Sequence, residues 1–368
     1  MDPKDLSIFI FCKTYLKGGA EKQALILARL FTENRFNVTL VNWSGRKIDP
    51  DNRAFIRKNF INYLGLEGNP LKKFISLLKV TRQCKKPVIL AYLTLANFVA
   101  GMMRLLNRKL IVAGGIRTEK LPLLKLVFER FAHNHLNTIT VFNNFSAQDK
   151  LLSRGFNPDK IAVIHNAIQV PVLVRQPRST DSITIISVSR FVRSKDFHTA
   201  LYAYKRLVES NPDKILRYRI VGYGYHEAAI RTMIKTLDLA SSVELLIRPR
   251  NVYAILKESD IYLSTSIFEG LSNSIMEAMS AGLPVVATDV GDNKFLVENG
   301  VNGYLVKFKD TGAIVDKLMQ LVNSEQTRKE FGDNSYNKIL NGFSEENLFG
   351  KYLQLITNLD GSDPEYKR

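Results

Sequence analysis

At 368 residues and 45% apolar composition the chain is long enough to bury two ordinary cores, since single domains usually stop growing well short of that length. Its two cysteines, Cys12 and Cys84, have no partners at metal-ligand or redox-motif spacing, which sets aside a disulfide framework and a zinc site and fits a reducing cytoplasm. The net charge of +17 is lopsided: through Val170 there are 27 Lys+Arg against 11 Asp+Glu, and the remainder has 25 against 24.

Short apolar runs alternate with helical patterns along the whole chain, the sequence form of parallel sheets with crossover helices, so the fold class is α/β. The first strand spans Leu6–Cys12 and leads into a loop; the N-terminus lacks the basic-then-apolar layout of a signal peptide, and secretion is not expected. Further strands are predicted at Asn37–Trp43, Phe60–Leu64, Pro87–Tyr92, Lys109–Ala113, Thr138–Phe142 and Ile161–Ile164, with helices such as Glu21–Asn34 and Leu71–Cys84 between them. The apolar stretch Val88–Leu106 is long enough to suggest a membrane span, but Thr94, Asn97 and Arg104 interrupt it, and it reads as a buried strand followed by a helix on the sheet. Gln169–Ser182, with Pro171 and Pro177 and no sustained periodicity, is the linker. A second alternating series has strands at Ile183–Ser189, Tyr218–Gly222, Val243–Leu246, Ile261–Ser264, Pro284–Ala287 and Gly303–Val306. The last helices, Gln326–Leu340 and Ser344–Leu359, have no strand after them, and a frayed tail follows from Gly361.

Three constellations carry chemistry. Gly18-Gly19-Ala20-Glu21 follows the first strand and opens a helix, where free N–H groups and the positive helix end suit a phosphate or an adjoining sugar. It lacks the G-x-G-x-x-G spacing of a dinucleotide site, which argues against an NAD-dependent enzyme. Ser187-Val188-Ser189-Arg190, followed by Lys195-Asp196, closes a strand with two cations suited to a diphosphate, Arg190 as a planar fork and Lys195 as a point charge. The third runs from Ser266 through Glu269, Gly270, Leu271, Ser272, Asn273, Ser274 and Glu277 to Met279, then Gly282 to Thr288. With Glu269 on a loop tip and Glu277 two turns into the helix, both carboxylates can accept hydrogen bonds from sugar or ribose hydroxyls of one extended ligand, while free amides near Ser272–Ile275 meet a pyrophosphate. Two rival signals weigh less. Asp49-Pro50-Asp51 is formally a D-x-D metal motif but reads as a loop around a proline, and His165 has no second metal ligand at useful spacing and reads as structural.

The string Ser264–Thr288 resembles the E-x7-E signature of the retaining GT-B glycosyltransferases, family 4 type, which include bacterial polysaccharide and lipid-linked saccharide enzymes. Other pieces fall in the family's order: Gly18–Glu21 resembles its N-terminal glycine loop, Val163–Ile168 the interdomain strand and turn, Ser187–Lys195 the phosphate-holding Arg and Lys, and Gly222-Tyr223-Gly224 its G-x-G turn. The resemblance covers essentially the whole chain. It implies two Rossmann-like domains facing across a cleft: 1–170, basic and acceptor-binding; 171–343, binding the nucleotide-sugar; and 344–368, a C-terminal helix returning to the first domain, plus the tail. It implies that Arg190 and Lys195 neutralise the donor diphosphate, Glu277 holds the ribose, Glu269 contacts the transferred sugar, and Gly18, Gly19, Gly222, Arg248 and Gly270–Ser274 complete the donor site. Catalysis is then assigned to Glu269, Arg190 and Lys195, with retention of anomeric configuration and no metal or other cofactor. Three departures stand out. Ile116-Arg117 replaces a His that many relatives carry, making Arg117 the candidate there; Ile247 stands where Gly is usual; and Phe295 stands where many have Glu.

Most aromatics lie inside apolar runs, so the basic half lacks the exposed stacking residues of a single-strand nucleic-acid binder and fits an anionic membrane surface or a phosphorylated acceptor. Lys72, Lys73, Lys79, Arg82, Lys85 and Lys86 accompany Leu71, Phe74, Ile75, Leu77, Leu78 and Val80 on one predicted helix, the pattern of an interfacial helix. The expected partners are a nucleotide-sugar, a UDP-sugar first, and a lipid-linked saccharide at the inner face of the cytoplasmic membrane, with no nucleic acid. A nonenzymatic nucleotide-sugar binder on the same fold and a basic nucleic-acid-binding protein are the alternatives.

Overall fold

The computed structural model describes residues 5–117, 121–173 and 182–361. The chain divides into two compact units, 1–167 with 345–368, and 168–344.

The first unit begins with β1 (Leu6–Cys12), every residue of which is buried, as a central parallel strand covered on both faces requires. There follow α1 (Gly19–Glu33), β2 (Asn37–Asn42), α2 (Pro50–Lys58), β3 (Asn62–Gly65), α3 (Pro70–Arg82), β4 (Lys86–Tyr92) and α4 (Leu93–Leu106). The unit continues through β5 (Ile111–Ile116), α5 (Leu123–Phe131), a π-helical turn (Ala132–Leu136), β6 (Ile139–Phe142), α6 (Phe145–Leu152) and β7 (Ile161–Val163). The seven strands are parallel in the order β3-β2-β1-β4-β5-β6-β7.

The second unit alternates β8 (Ser182–Arg190), α7 (Phe197–Glu209), β9 (Ile215–Tyr223), α8 (Glu227–Thr236), β10 (Val243–Ile247), α9 (Val252–Lys257) and β11 (Ile261–Ser264). It then runs α10 (Asn273–Ser280), β12 (Val285–Thr288), α11 (Asn293–Leu296), β13 (Gly303–Val306), α12 (Thr311–Asn323) and α13 (Glu325–Gly342). Its sheet is parallel in the order β10-β9-β8-β11-β12-β13. Both units therefore carry the doubly wound arrangement, with the strand order reversing direction between β1 and β4 and between β8 and β11; ligands bind such sheets outside the carboxyl ends of the strands at that point.

The chain then returns to the first unit. Helix α14 (Glu345–Leu359) packs Leu348, Tyr352 and Ile356 into the core that contains Leu27, Phe31 and Val88, and the Arg29 guanidinium pairs with Glu345. Of the linker segment, Tyr336 donates to the Pro171 carbonyl at 3.2 Å and Leu173 lies against Gly282, whereas 174–181 lie outside the described residues, as does the tail beyond Gly361.

Several sequence expectations change in detail. Asp49-Pro50-Asp51 is the start of α2 and not a loop: Asp49 caps the helix by accepting from the Asp51 amide at 2.9 Å, Pro50 opens it, and Lys17 pairs with Asp51 at 2.9 Å. Strand β3 starts at Asn62 because Phe60, at φ 53 and exposed, terminates α2. Gly114 and Gly115 extend β5: a Cβ at Gly114 would lie 2.4 Å from the Asn137 amide and one at Gly115 2.6 Å from the Ala91 carbonyl. Val88–Leu106 divides between β4 and α4, and among the described residues no helix is long and apolar enough to cross a membrane.

Candidate active site

In the second unit, β8 delivers Ser189 and Arg190 to its carboxyl end and β11 delivers Ser264, with Thr265 and Ser266 just beyond. The two loops that leave these strands are tied together through their backbones. The Ile267 amide donates to the Ser194 carbonyl at 2.9 Å, and the Thr265 hydroxyl lies 3.0 and 2.9 Å from the carbonyls of Lys195 and Asp196. Asp196 takes a left-handed conformation (φ 46), caps α7 by accepting from the Thr199 amide at 3.4 Å, accepts as well from the Thr199 hydroxyl at 2.7 Å, and lets the chain turn sharply after Lys195. Phe191 and Phe197 meet edge to face beneath the loop, ring centroids 5.4 Å apart, fixing both of its ends in the core.

These ties aim Lys195 at Glu269. The ammonium donates to Glu269 Oε1, which also accepts from the Ser266 hydroxyl at 2.8 Å; the Lys195 and Glu269 side chains are 16% and 13% exposed. Gly291, at φ 57, passes close under Glu269: a Cβ there would lie 2.1 Å from the Glu269 carbonyl oxygen, so only glycine lets this backbone support the Glu269 loop. A pocket at the same sheet edge is lined by Ser189, Lys195, Tyr262, Ser266, Glu269 and Ser274, among others.

Helix α10 starts at this pocket. Its N-cap, Ser272, makes no capping bond with its side chain, and the hydroxyls of Ser272 and Ser274 lie 3.2 Å apart. The positive helix end and the first-turn amides are thus oriented to receive an anion. Glu277 lies about one turn along α10, closer to its start than the sequence spacing implied, and is half-buried. Tyr262, whose hydroxyl donates to the Val188 carbonyl at 3.1 Å, feels both carboxylates: burial pushes its phenol well up, and the charges of Glu269 and Glu277 add to the rise. The tyrosine therefore stays a neutral donor behind the site. Nothing in the sequence singled it out, because an aromatic in a buried strand reads as core.

Other predicted residues sit elsewhere on the same unit. Arg190 ends β8 and is exposed, outside the pocket lining. Gly222 and Gly224 work by close approach: Cβ atoms there would lie 1.8 Å from the Ser189 carbonyl and 2.4 Å from that of Phe191, so the turn lets β9 pack against the Lys195 loop. Arg248, in a left-handed conformation, stacks its guanidinium 4.6 Å from the Tyr223 ring centroid. Gly270 and Leu271 link the Glu269 loop to α10, the Gly270 carbonyl accepting from the Asp292 amide at 3.2 Å and Leu271 being buried in the core with Ile275 and Met276. Asn273 is the first residue of α10.

Three predicted residues belong to the first unit. Gly18 precedes α1, where a Cβ would lie 2.2 Å from the Glu21 carboxylate, while Gly19 has open space around it. Arg117, just past β5, donates to Asn166 and to the Tyr352 hydroxyl, each at 3.1 Å, and lies over the Tyr92 ring at 4.7 Å; its buried Nε has no hydrogen-bond partner among the described residues. Cys12, at the end of β1, is buried and its thiol is pushed up to about 12, so it is an inert core residue. His165 bonds the Asn143 carbonyl at 3.0 Å and packs edge to face on Phe145.

Residues 173–338, nearly the whole second unit, match the family model "Glycosyl transferases group 1". The chain carries a glycosyl transferases group 1 domain. That domain holds the Lys195–Glu269 pair, α10 and Glu277. Over 228 residues the chain is 28% identical to a poly(ribitol-phosphate) alpha-N-acetylglucosaminyltransferase of Staphylococcus aureus, covering 61% of this chain and 45% of the relative, so the match spans less than half of that protein. A second relative is the UDP-Gal:alpha-D-GlcNAc-diphosphoundecaprenol alpha-1,3-galactosyltransferase of Escherichia coli, 24% identical over 373 residues, 93% of this chain and 95% of the relative. Among solved structures, Anabaena HepE, crystallised in complex with UDP, superposes with a TM-score of 0.83 at 17% identity, over 95% of this chain and 99% of that one. The fold is GT-B, with two parallel-sheet α/β units and C-terminal helices.

Proposed function

We propose that the protein is a retaining, metal-independent glycosyltransferase that moves a sugar from a UDP-sugar to a lipid-linked saccharide at the inner face of the cytoplasmic membrane. The observation that carries this reading is the convergence of Lys195, Glu269 and the N-terminus of α10, whose N-cap Ser272 makes no capping bond, on one sheet edge. In the resting site each charge compensates the other, which limits the cost of holding them out of water. A diphosphate entering at the α10 N-terminus takes the Lys195 ammonium. Glu269 then becomes available to accept hydrogen bonds from hydroxyls of the transferred sugar, and Glu277 from those of the ribose.

During transfer the bond from the anomeric carbon to the β-phosphate oxygen breaks with its electron pair going to phosphate. The acceptor hydroxyl forms the new bond on the same face, and its proton leaves with the diphosphate. The growing phosphate charge meets Lys195 and the α10 amides, groups already in position before the reaction, and Arg190 reaches it from the exposed end of β8 once the donor is bound. The UDP bound by HepE supports the choice of base, the diphosphoundecaprenol-linked substrate named for the Escherichia coli relative supports the acceptor class, and the basic composition through Val170 supports an anionic surface.

A thermal-shift screen of UDP-, GDP- and ADP-sugars tests the donor: UDP-sugars raise Tm and the others do not. A chain stabilised by none of the three defeats the proposal. Product anomers read by NMR, from reactions run with and without EDTA, test retention and metal independence; an inverted product, or turnover abolished by EDTA, overturns the corresponding element.

A further inference from the structure

The structure assigns the membrane contact of the first unit to α5, an inference that deepens the proposed function and rests on its lipid-linked acceptor. The expected interfacial helix, α3, leaves Leu71, Lys72, Ile75 and Lys79 exposed and is engaged within the fold through its other face. Leu77 and Leu78 are buried, Lys73 donates to the Trp43 carbonyl at 2.7 Å, and Arg82 to that of Leu106 at 2.8 Å. Just beyond the helix, Lys85 pairs with Asp5 at 3.0 Å and Lys86 with Asp360 at 2.7 Å.

Helix α5 is built the other way round. Leu123 and Leu124 are 78% and 76% exposed, and Val127, Phe128 and Phe131 are 50%, 50% and 48% exposed. At about 100° per residue these five fall within an arc of about 140°, with Arg130 bordering one side and Lys125 the other, both exposed. The opposite arc holds Leu126, packed against the small core of Phe142 and Leu151, and Glu129. Glu129 is the one acidic residue of the helix and is buried, accepting from Asn97 at 2.9 Å, so the outward surface of α5 carries only positive charge. An apolar stripe edged by cations and free of exposed carboxylate matches an anionic lipid surface: the stripe enters the acyl boundary and Lys125 and Arg130 meet the headgroup phosphates.

The test is co-sedimentation of the full chain with vesicles of equal phosphatidylglycerol and phosphatidylcholine, and with phosphatidylcholine alone, at low salt. The wild-type chain binds the anionic vesicles, and the pair L123D/L124D lowers the bound-to-free ratio at least about tenfold. Aspartate in the first turn of a helix favours the helix, so the variant keeps its fold. K125E/R130E weakens binding to a similar degree and leaves a residue that rising salt affects less. The α3 pair L71D/I75D binds as wild type. Wild-type binding to the α5 variants, or loss confined to the α3 pair, overturns the assignment, as does a lipid-free dimer in sedimentation velocity that the α5 substitutions disperse. UDP-sugar thermal shifts run alongside keep the two readings apart: α5 variants retain the shift, whereas a wild-type chain that binds vesicles without any shift defeats the donor reading and leaves the α5 surface standing.

Discussion

Replacing Lys195 with alanine separates the structural from the chemical part of the site. The substitution leaves the Glu269 carboxylate with its Ser266 bond but no cation, in a place where the side chain is 13% exposed. Removing one partner of a fully buried pair costs about 3–5 kcal/mol, and an exposed pair is worth about 0–1. Residual exposure and the surviving Ser266 hydroxyl put this case near ~2 kcal/mol. For a unit the size of 168–344, each kcal/mol moves Tm by about 2–4 °C, so Lys195→Ala should melt about 4–8 °C below wild type. Adding Glu269→Gln removes the stranded charge and recovers most of that loss, a positive coupling in a double-mutant cycle. Neither variant regains function: UDP no longer raises Tm appreciably, and transfer falls by ~10²-fold or more, the scale for losing one charge-stabilising group. The measurements are melting curves with and without UDP and a radiolabelled transfer assay. A Lys195→Ala chain that melts with wild type and keeps its full response to UDP refutes the reasoning at its base.

Glu277→Ala should weaken UDP by roughly tenfold or more, the worth of hydrogen bonds to a charged acceptor; titration calorimetry with UDP reads it, and an unchanged affinity removes Glu277 from the ribose. Gly222→Ala drives a Cβ to 1.8 Å from the Ser189 carbonyl, a strand-to-strand contact with no flexible atom to yield, and should cost about 3 kcal/mol in urea unfolding. Glu129 gives a pH test. Burial raises its pKa, offset in part by bonds from Asn97 and Thr94, so the folded state holds the proton more tightly than the unfolded one, whose pKa lies near 4.5. Between the two values stability falls as pH rises, and above the folded value the penalty is complete. Glu129→Gln, which still accepts from Asn97, should therefore be more stable than wild type near neutral pH, with the advantage shrinking toward pH 4.5; urea midpoints across that range that track each other in parallel would contradict this account.

Both sheets were legible because parallel strands buried on two faces read as unbroken apolar runs: Leu6–Cys12 and Ile261–Ser264 need no long-range information to be recognised. The Glu269–Glu277 segment was legible for the same local reason, one loop and one helix start within a single stretch of chain. What escaped was set by partners distant in sequence. Lys86 looked like a free membrane-facing charge until Asp360, 274 residues away, took it up, and Gly114-Gly115 looked like a strand end until β4 and Asn137 were seen to press on them. The outward face of α5 was hidden for a related reason. Its sequence, Leu123 to Phe131, sets an apolar arc apart from Lys125, Glu129 and Arg130 and so reads as an inward stripe, and the packing of Leu126 with the burial of Glu129 against Asn97 shows that this arc faces outward. A buried acid on a helix of this kind is a polarity marker: by satisfying its carboxylate inside, the fold leaves the apolar and basic residues of α5 facing outward. Asp49-Pro50-Asp51 shows the converse case, where the local signal was present and outweighed: an Asp before a Pro fits an N-cap followed by the first helical residue as well as it fits a loop, and here the helix is what forms. Charge runs and metal-like motifs thus become informative only after the contacts of each residue are known, whereas apolar periodicity can be read before any contact is known.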